Sequence, residues 1–483
     1  MSVLSGLEPQ LLWKFFDEIR KIPHPSGSEE KLAEYVISLA KKQNLDYTQD
    51  EVGNVVIRKP ATPGHEKSPA IVLQSHLDMV GEKNSDKEFD FETQAIDIKV
   101  DGEWLTADGT TLGSDNGVGI AAALAILHDD SLVHGPIEAL FTIDEERGLV
   151  GAQSLSPDLL KGRKMINMDS EEIGVFSIGC AGGADSHITL PVQRKPAEKD
   201  TLVKIHLYGL RGGHSGIDIH EGRGNALKIL TRLLFQVHKQ IPLELHCLNG
   251  GDKHNAIPRE ATAQVAIQKS QVADLEKWFD VAIKDVRIEF EPLEKNISIA
   301  IDALDTQVPA VMELDSQNTF LGLIFALPHG PLAWSKTIKG LVETSNNVAS
   351  IKCAENQIKI HLSSRSSNQS ALQATLDKLV AITHLADGAI EQPPGYPGWR
   401  PNLDSEILQV ALQAYKEVAD KEASYEAIHA GLECGLIGEK YSGMDMISVG
   451  PTIKHPHSPD ERVHIGSVDL FYKHVVKMLE KLA

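Results

Sequence analysis

Apolar positions recur at helical spacing near the start of the chain. Leu11, Leu12, Phe15, Phe16 and Ile19 fall on one face of a predicted amphipathic helix. A second helical pattern, SEEKLAEYVISLAKKQ, follows with Ser28 placed as its cap. Beyond it, strand and helix patterns alternate: NVVIRKP and AIVLQSH read as strands, NGVGIAAALAILHDD as a helix, IEALFTID and KMINMD as strands again. Such alternation predicts an α/β layer on a largely parallel or mixed sheet. The pattern changes around GCAGGAD (179–185), where glycines free the backbone to bend. From about 186 to 395 the segments are less regular, richer in strand patterns and broken by charged loops. EQPPGYPGWRPN (391–402), dense in Pro and Gly, reads as a return linker. The α/β style resumes with SEILQVALQAYKEVAD, MISVGP and SVDLFYKHVVKMLEKLA. The expected organisation is a discontinuous main domain, 1–185 and 396–483, split by an inserted α+β domain at 186–395. Inside the insertion NAIPREATAQVAIQ (255–268) resembles NVASIKCAENQIKIHLSSR (347–365), and each follows a long helical stretch, which suggests a duplicated unit.

Composition narrows the function classes. The 483 residues, 42% hydrophobic and 24% charged, are those of an ordinary soluble globular chain with room for roughly two to four domains. Acidic residues outnumber basic ones, 68 to 47, for a net charge of −21, a field that repels nucleic acid phosphates and anionic membranes. Neither is expected as a partner. The four cysteines are scattered, and no pair has C-x-x-C spacing, so reduced thiols in the cytoplasm fit better than a disulfide framework. The N-terminus has no basic start followed by an apolar run, so no signal peptide is expected, and GIAAALAIL (119–127) is too short to span a membrane.

Three strand patterns end in residues that can ligate metals. AIVLQ runs into His76 and Asp78, IEALFTID into Glu145 and Glu146, and KMIN into Asp169. Asp115, in GSDNG, stands just before a helix. In open α/β sheets ligands gather beyond the carboxyl ends of the strands, so these residues can converge although no single motif supplies a full ligand set. His76 and Asp78, two apart on an extended segment, share a face, and a carboxylate there can accept the imidazole N–H and strengthen it as a donor. Taken alone, HLD also suits a surface turn and Asp115 a helix N-cap. Asp144, Glu145 and Glu146 in a row repel one another unless cations or protons intervene. One glutamate can bind metal while its neighbour faces a water, which metal-assisted hydrolysis requires. A solvated acidic turn is the plainer alternative. In KHPHSPDE, spacing does not choose between His455 and His457.

Taken in order, HLD, GSDNG, DEERGLVGA, NMDSEE and GPTIKHPHSPDE resemble the metal-site motifs of the di-zinc exopeptidases, which include carboxypeptidases, tripeptidases and carnosinase-like dipeptidases. The likeness runs over nearly the whole chain and is nearest to the bacterial cytosolic aminoacyl-histidine (Xaa-His) dipeptidases. It implies an α/β/α catalytic domain with an inserted lid and two Zn2+ per chain, with Co2+ or Mn2+ as substitutes. His76 and Asp169 would hold one ion, Glu146 and His457 the other, and Asp115 both. Asp78 would orient His76, and the Asp115–Asn116 peptide would be cis. Glu145 would be the general base that activates a zinc-bridging water. Asp rather than Glu at 169 goes with aminopeptidase and dipeptidase action in this family.

LRGGHSG (210–216) matches the family's lid motif and makes His214 the oxyanion partner. Asn255 in HNAIP, Arg365 in SSRSS, and Gly431 with His429 in HAGLECG become substrate contacts, the planar fork of Arg365 suiting a terminal carboxylate. Relatives with a short lid borrow the histidine from a partner subunit, whereas a long, duplicated insertion would let one chain complete its own site, so monomer and homodimer both stay open. The expected activity is hydrolysis of unblocked dipeptides. An N-acyl amino acid deacylase or carboxypeptidase on the same fold, or a non-catalytic metal-binding protein, are the alternatives.

Overall fold

A computed structural model gives the architecture and describes residues 3–483. The chain forms two compact units, one of Met1–Cys180, Trp399–Ala427 and Leu432–Ala483, the other of Ala181–Gly398 and Ile428–Gly431.

The first unit is built on an eight-stranded sheet, in the order 46–49, 55–59, 137–142, 71–76, 164–167, 445–448, 175–180 and 424–428. Its four central strands, Ile137–Thr142, Ile71–His76, Lys164–Asn167 and Asp445–Ser448, run parallel. Antiparallel strands flank them. Every residue of Ile71–His76 and Ile137–Thr142 is buried, as continuous apolar runs in a parallel sheet require. Helices cover both faces. The Cβ that a side chain at Gly119 would carry meets Ser75 Oγ, which places helix Ser114–His128 on one face. On the other, Gln74 bonds Glu433 at the start of helix Glu433–Lys440. Helix Ser114–His128 is apolar all round because it is enclosed, with Val118 to Leu127 buried throughout.

Two local expectations need correction. In helix Gln10–Ile19 the buried face holds Trp13 in place of Leu11, beside Leu12, Phe15, Phe16 and Ile19. Ser28 does not cap helix Glu30–Lys42; its hydroxyl donates to Glu92, and Glu29 occupies the cap position without a side-chain cap bond. The Glu29 carboxylate is engaged elsewhere, accepting the backbone N–H groups of Gly27 and Asp144.

The second unit repeats one topology twice. Strands 201–208, 244–250, 261–267 and 298–304, with helices Ala226–Val237 and Val272–Phe290 between the first and second pairs, form a βαββαβ unit of sheet order 4-1-3-2. Strands 182–191, 342–353, 357–366 and 389–391, with helices Leu314–Ala326 and Gln369–Leu385, form another of order 2-3-1-4. The two join through their second strands, at Gly250 and Ile351, into one continuous sheet with a common apolar core. The first copy is nested inside the second, between its opening strand and first helix. Both stretches whose likeness shows in the sequence contain the third strand of their copy. Three short pieces expected in the main domain, 181–185, 396–398 and 428–431, belong to this second unit. Tyr396 exchanges backbone bonds with Gly183, and Ala181 N–H donates to the carbonyls of Ile428 and Ala430.

Candidate active site

Because the four central strands are parallel, their carboxyl ends lie along one edge of the sheet. His76 ends its strand, Glu145 and Glu146 follow Thr142, Asp169 follows Asn167, and the loop after Ser448 carries His457. Asp115 enters from the start of helix Ser114–His128, where the Asp115–Asn116 peptide is cis.

The side chains fall into groups that share Asp115. His76, Asp115 and Asp169 present ligand atoms within 4.8 Å of one another, as do Asp115, Glu146 and His457. His76 Nε2 stands 3.2 Å from both Asp115 Oδ1 and Asp169 Oδ1. His457 Nε2 stands 3.1 Å from Asp115 Oδ2 and 2.9 Å from Glu146 Oε1. His457, and not its neighbour His455, makes this approach. Glu145 lies alongside, in a third group with His76 and Glu146. Glu29, Asp78 and Asp144 form a further buried cluster, but their oxygens are taken up by backbone N–H groups and Arg147.

This donor set suits divalent cations. His76 Nδ1 faces only oxygens, the Asp78 carbonyl at 3.0 Å and the Asp78 carboxylate at 3.4 Å, so the ring proton belongs there. The Nε2 lone pair then points at two carboxylates, an arrangement that repels unless a cation or an added proton lies among them. Burial acts to lower the His76 pKa, yet Asp169 and Asp115 raise it well above the ordinary value. Burial raises Asp169 to about 6 with His76 opposing, and hydrogen bonds to Asp115 and Glu146 carry His457 to about 11. Burial, with His76 opposing and Asp169, Glu433 and Glu146 adding to it, also pushes Glu145 well up. Imidazole nitrogen and carboxylate oxygen are ligands that zinc accepts, and cobalt or manganese after it.

Three residues around this cluster, and one in the second unit, were not singled out in the sequence. Asn116 donates from Nδ2 to Asp169 Oδ1 at 2.5 Å and to the Met168 carbonyl at 2.8 Å, fixing the Asp169 carboxylate. Glu461, 2% exposed, accepts the backbone N–H groups of Leu112, Gly113 and Ser114 and the Ser114 hydroxyl, at 2.6 to 3.1 Å. It closes the same motif that carries His457, so one loop positions both His457 and the approach to Asp115. Glu433, 1% exposed, is held by Gln74 and Thr142 beside the strand ends. Tyr396, in the second unit, is described below. Asp78 does more than expected, since its carboxylate also accepts the N–H groups of Glu145 and Glu146, at 2.9 and 3.2 Å. Replacing Glu461 with Ala strands three buried N–H donors. It is expected to cost about 3 kcal/mol, a fall of roughly 5 °C in Tm by calorimetry.

The second unit holds the other residues singled out. His214 Nδ1 accepts N–H from Gly216 and Ile217, at 3.2 and 3.0 Å, which leaves the ring proton on Nε2 as a donor. Burial, helped by Arg365, lowers its pKa and keeps it neutral. Arg365, 7% exposed, donates from Nη1 to Tyr396 Oη at 2.9 Å. The Tyr396 side chain lies where side chains at Gly183 and Gly431 would otherwise be, since a Cβ would meet its hydroxyl at 2.5 Å and its ring at 2.8 Å respectively. Gly431 thus makes room for the tyrosine that holds Arg365. His429 pairs with Ser345 at 2.7 Å, and the Asn255 carbonyl accepts Ser215 N–H at 2.7 Å.

Comparison with known proteins identifies the family. The model of peptidase family M20/M25/M40 matches residues 72–481. The chain belongs to this family. It is a metallopeptidase, a hydrolase acting on peptide bonds. The chain is 43% identical to the cytosol non-specific dipeptidase of Escherichia coli strain K12, over 100% of this chain and 99% of the relative. It superposes on the aminoacylhistidine dipeptidase of Vibrio alginolyticus with a TM-score of 0.93 and 43% identity, covering 99% of this chain and 98% of that one. Aminopeptidase PepT of Bacillus cereus, at 15% identity and a TM-score of 0.57 over 99% of both chains, shares the fold.

Proposed function

We propose that the protein is a cytoplasmic dipeptidase that hydrolyses unblocked dipeptides, Xaa-His among them, with His76, Asp115, Glu146, Asp169 and His457 holding two zinc ions. The observation that carries this reading is the pair of ligand groups sharing Asp115, with one further carboxylate, Glu145, beside them. Two bound cations would act as Lewis acids, lowering the pKa of water and polarising the peptide carbonyl. Glu145 takes the proton of the attacking water and returns it to the departing amine. Asp78 keeps the His76 tautomer and anchors the Glu145 backbone. His214, its proton on Nε2, donates to the developing oxyanion. Arg365 receives the substrate's terminal carboxylate, and Asn255 and Gly431 belong to the same recognition surface. Cobalt or manganese would substitute for zinc. A cytoplasmic location is supported by the cytosolic relative and by the lack, among the described residues, of any helix long and apolar enough to cross a membrane.

The test is a substrate panel. Metal-loaded protein is expected to cleave free dipeptides at least about tenfold faster, by kcat/KM, than tripeptides or N-acylated amino acids. Preference for the blocked substrates would replace this reading with a deacylase or carboxypeptidase.

A further inference from the structure

One face of the second unit's sheet is covered by helices, and the other carries a row of polar side chains. In the ladder between strands Gly182–Pro191 and Gln357–Ser366, Arg365 stands opposite Gly183, Ser363 opposite Asp185, and His361 opposite His187. Directly opposed residues point to the same face. The alternate residues Ile188, Leu190, Ile358, Ile360 and Leu362 enter the apolar core, so the polar pairs line the helix-free side. Asp185 Oδ2 lies 3.4 Å from His361 Nε2 and 3.6 Å from His254 Nδ1. The His254 and His361 rings are nearly parallel, 10° apart with centroids at 6.1 Å. The Asp185 side chain keeps 30% of its surface exposed, so the carboxylate reaches solvent beside two imidazoles. Burial works to raise its pKa, but His361 and His254 bring it below the usual range.

At the other end of the row the guanidinium of Arg365 is fixed by Tyr396, whose hydroxyl sits over Gly183. From the Arg365–Gly183 pair to the Ser363–Asp185 pair is two residues, about 7 Å along the strand. That is the separation between the carboxylate of one amino acid and the polar end of its own side chain.

The geometry points to Asp185, flanked by His254 and His361, as the subsite that reads the side chain of the substrate's C-terminal residue and selects imidazole and ammonium groups. This rests on the reading of Arg365 as the acceptor of the terminal carboxylate. A carboxylate at that distance accepts a charge-assisted hydrogen bond from a histidine or lysine side chain and repels an aspartate or glutamate. The imidazole faces beside it give a histidine ring a flat surface to lie on.

The experiment compares kcat/KM on Ala-His, Ala-Lys, Ala-Ala and Ala-Glu for the metal-loaded enzyme and for Asp185→Asn and Asp185→Lys. The wild type is expected to favour Ala-His and Ala-Lys over Ala-Glu. Asp185→Asn should lower the ratio of Ala-His to Ala-Ala roughly tenfold. Asp185→Lys should reverse the order, so that Ala-Glu overtakes Ala-His, a change that poor folding cannot produce. Ratios unchanged in both variants overturn the subsite. Without any variant, free L-histidine should inhibit the wild type at least about tenfold more strongly than L-glutamate, and equal inhibition overturns the subsite as well. Arg365→Gln separates the two readings. If it leaves KM for all four dipeptides unchanged, the carboxylate anchor fails and the subsite with it. If it raises KM while the Asp185 ratios stay put, only the subsite fails.

Discussion

Replacing Glu145 with Ala is expected to lower kcat/KM on a dipeptide by about a thousandfold or more, while the protein keeps its full complement of bound metal. The backbone N–H of Glu145, not its side chain, ties the strand end to Asp78, so truncation leaves the loop pinned. The carboxylate belongs to a group with His76 and Glu146, but every contact that joins the two sets around Asp115 is made by other side chains. Its environment suits a proton carrier. In the metal-free protein, burial and the Asp169, Glu433 and Glu146 carboxylates, against the opposing pull of His76, favour its protonated form far more than water does. A base held that way accepts a proton readily from an acidified water and can still pass it on. Removing such a carboxylate relieves repulsion, so Glu145→Ala should melt no lower than the wild type in the absence of metal. Metal counted per chain and kcat/KM measured on the same sample decide the matter. A variant that binds metal fully and retains more than about a tenth of wild-type turnover would show that the proton goes elsewhere.

How much of this was legible in the sequence depends on distance along the chain. His76, Glu145 and Asp169 each follow a short apolar run, and a run buried on both faces in a parallel sheet delivers its next residues to one edge. Position within the pattern therefore already implied convergence. His457 was less determined, because its loop has no periodicity and His455 is chemically equal. The choice is made by backbone shape, with both histidines at positive φ and only His457 turned toward Asp115. Glu461 and Tyr396 act through partners hundreds or tens of residues away, and nothing local marks an acceptor for buried N–H groups or a ring lying over two glycines. Ser28 misled because capping propensity is a local rule, whereas at that helix start the buried carboxylate of Glu29 is tied to the Asp144 loop and the serine faces Glu92. The duplication was faint for a topological reason. The opening strand of the second copy, 182–191, is separated from the rest of it by the whole first copy, so the two repeats never read as consecutive segments.

Stripping the metal with a chelator is expected to lower Tm by about 10 °C or more at pH 8, and by clearly less at pH 5. The sign follows from the groups involved. In the metal-free protein burial raises Asp169 to about 6, with His76 opposing, and Glu433 to about 7, again with His76 opposing. A carboxyl group raised on folding contributes stability below its unfolded pKa and loses it as pH climbs through the folded value. His457, raised to about 11 by Asp115 and Glu146, likewise favours the folded state most at low pH and progressively less from its unfolded pKa upward. All three therefore weaken the metal-free fold between pH 5 and 8. Asp78, lowered to about 2 by His76 and backbone N–H groups against burial, is ionised in both states across that window and contributes no slope. Cations remove the penalty, because the carboxylates then face positive charge rather than one another, and they bind more tightly as protons leave the ligands. Asp115→Ala should abolish most of the metal-dependent gain in Tm at pH 8, since that side chain is the one shared by both ligand groups. A gap between metal-loaded and metal-free melting that is the same at pH 5 and pH 8 would mean that these carboxylates and imidazoles do not compete with protons for the ions.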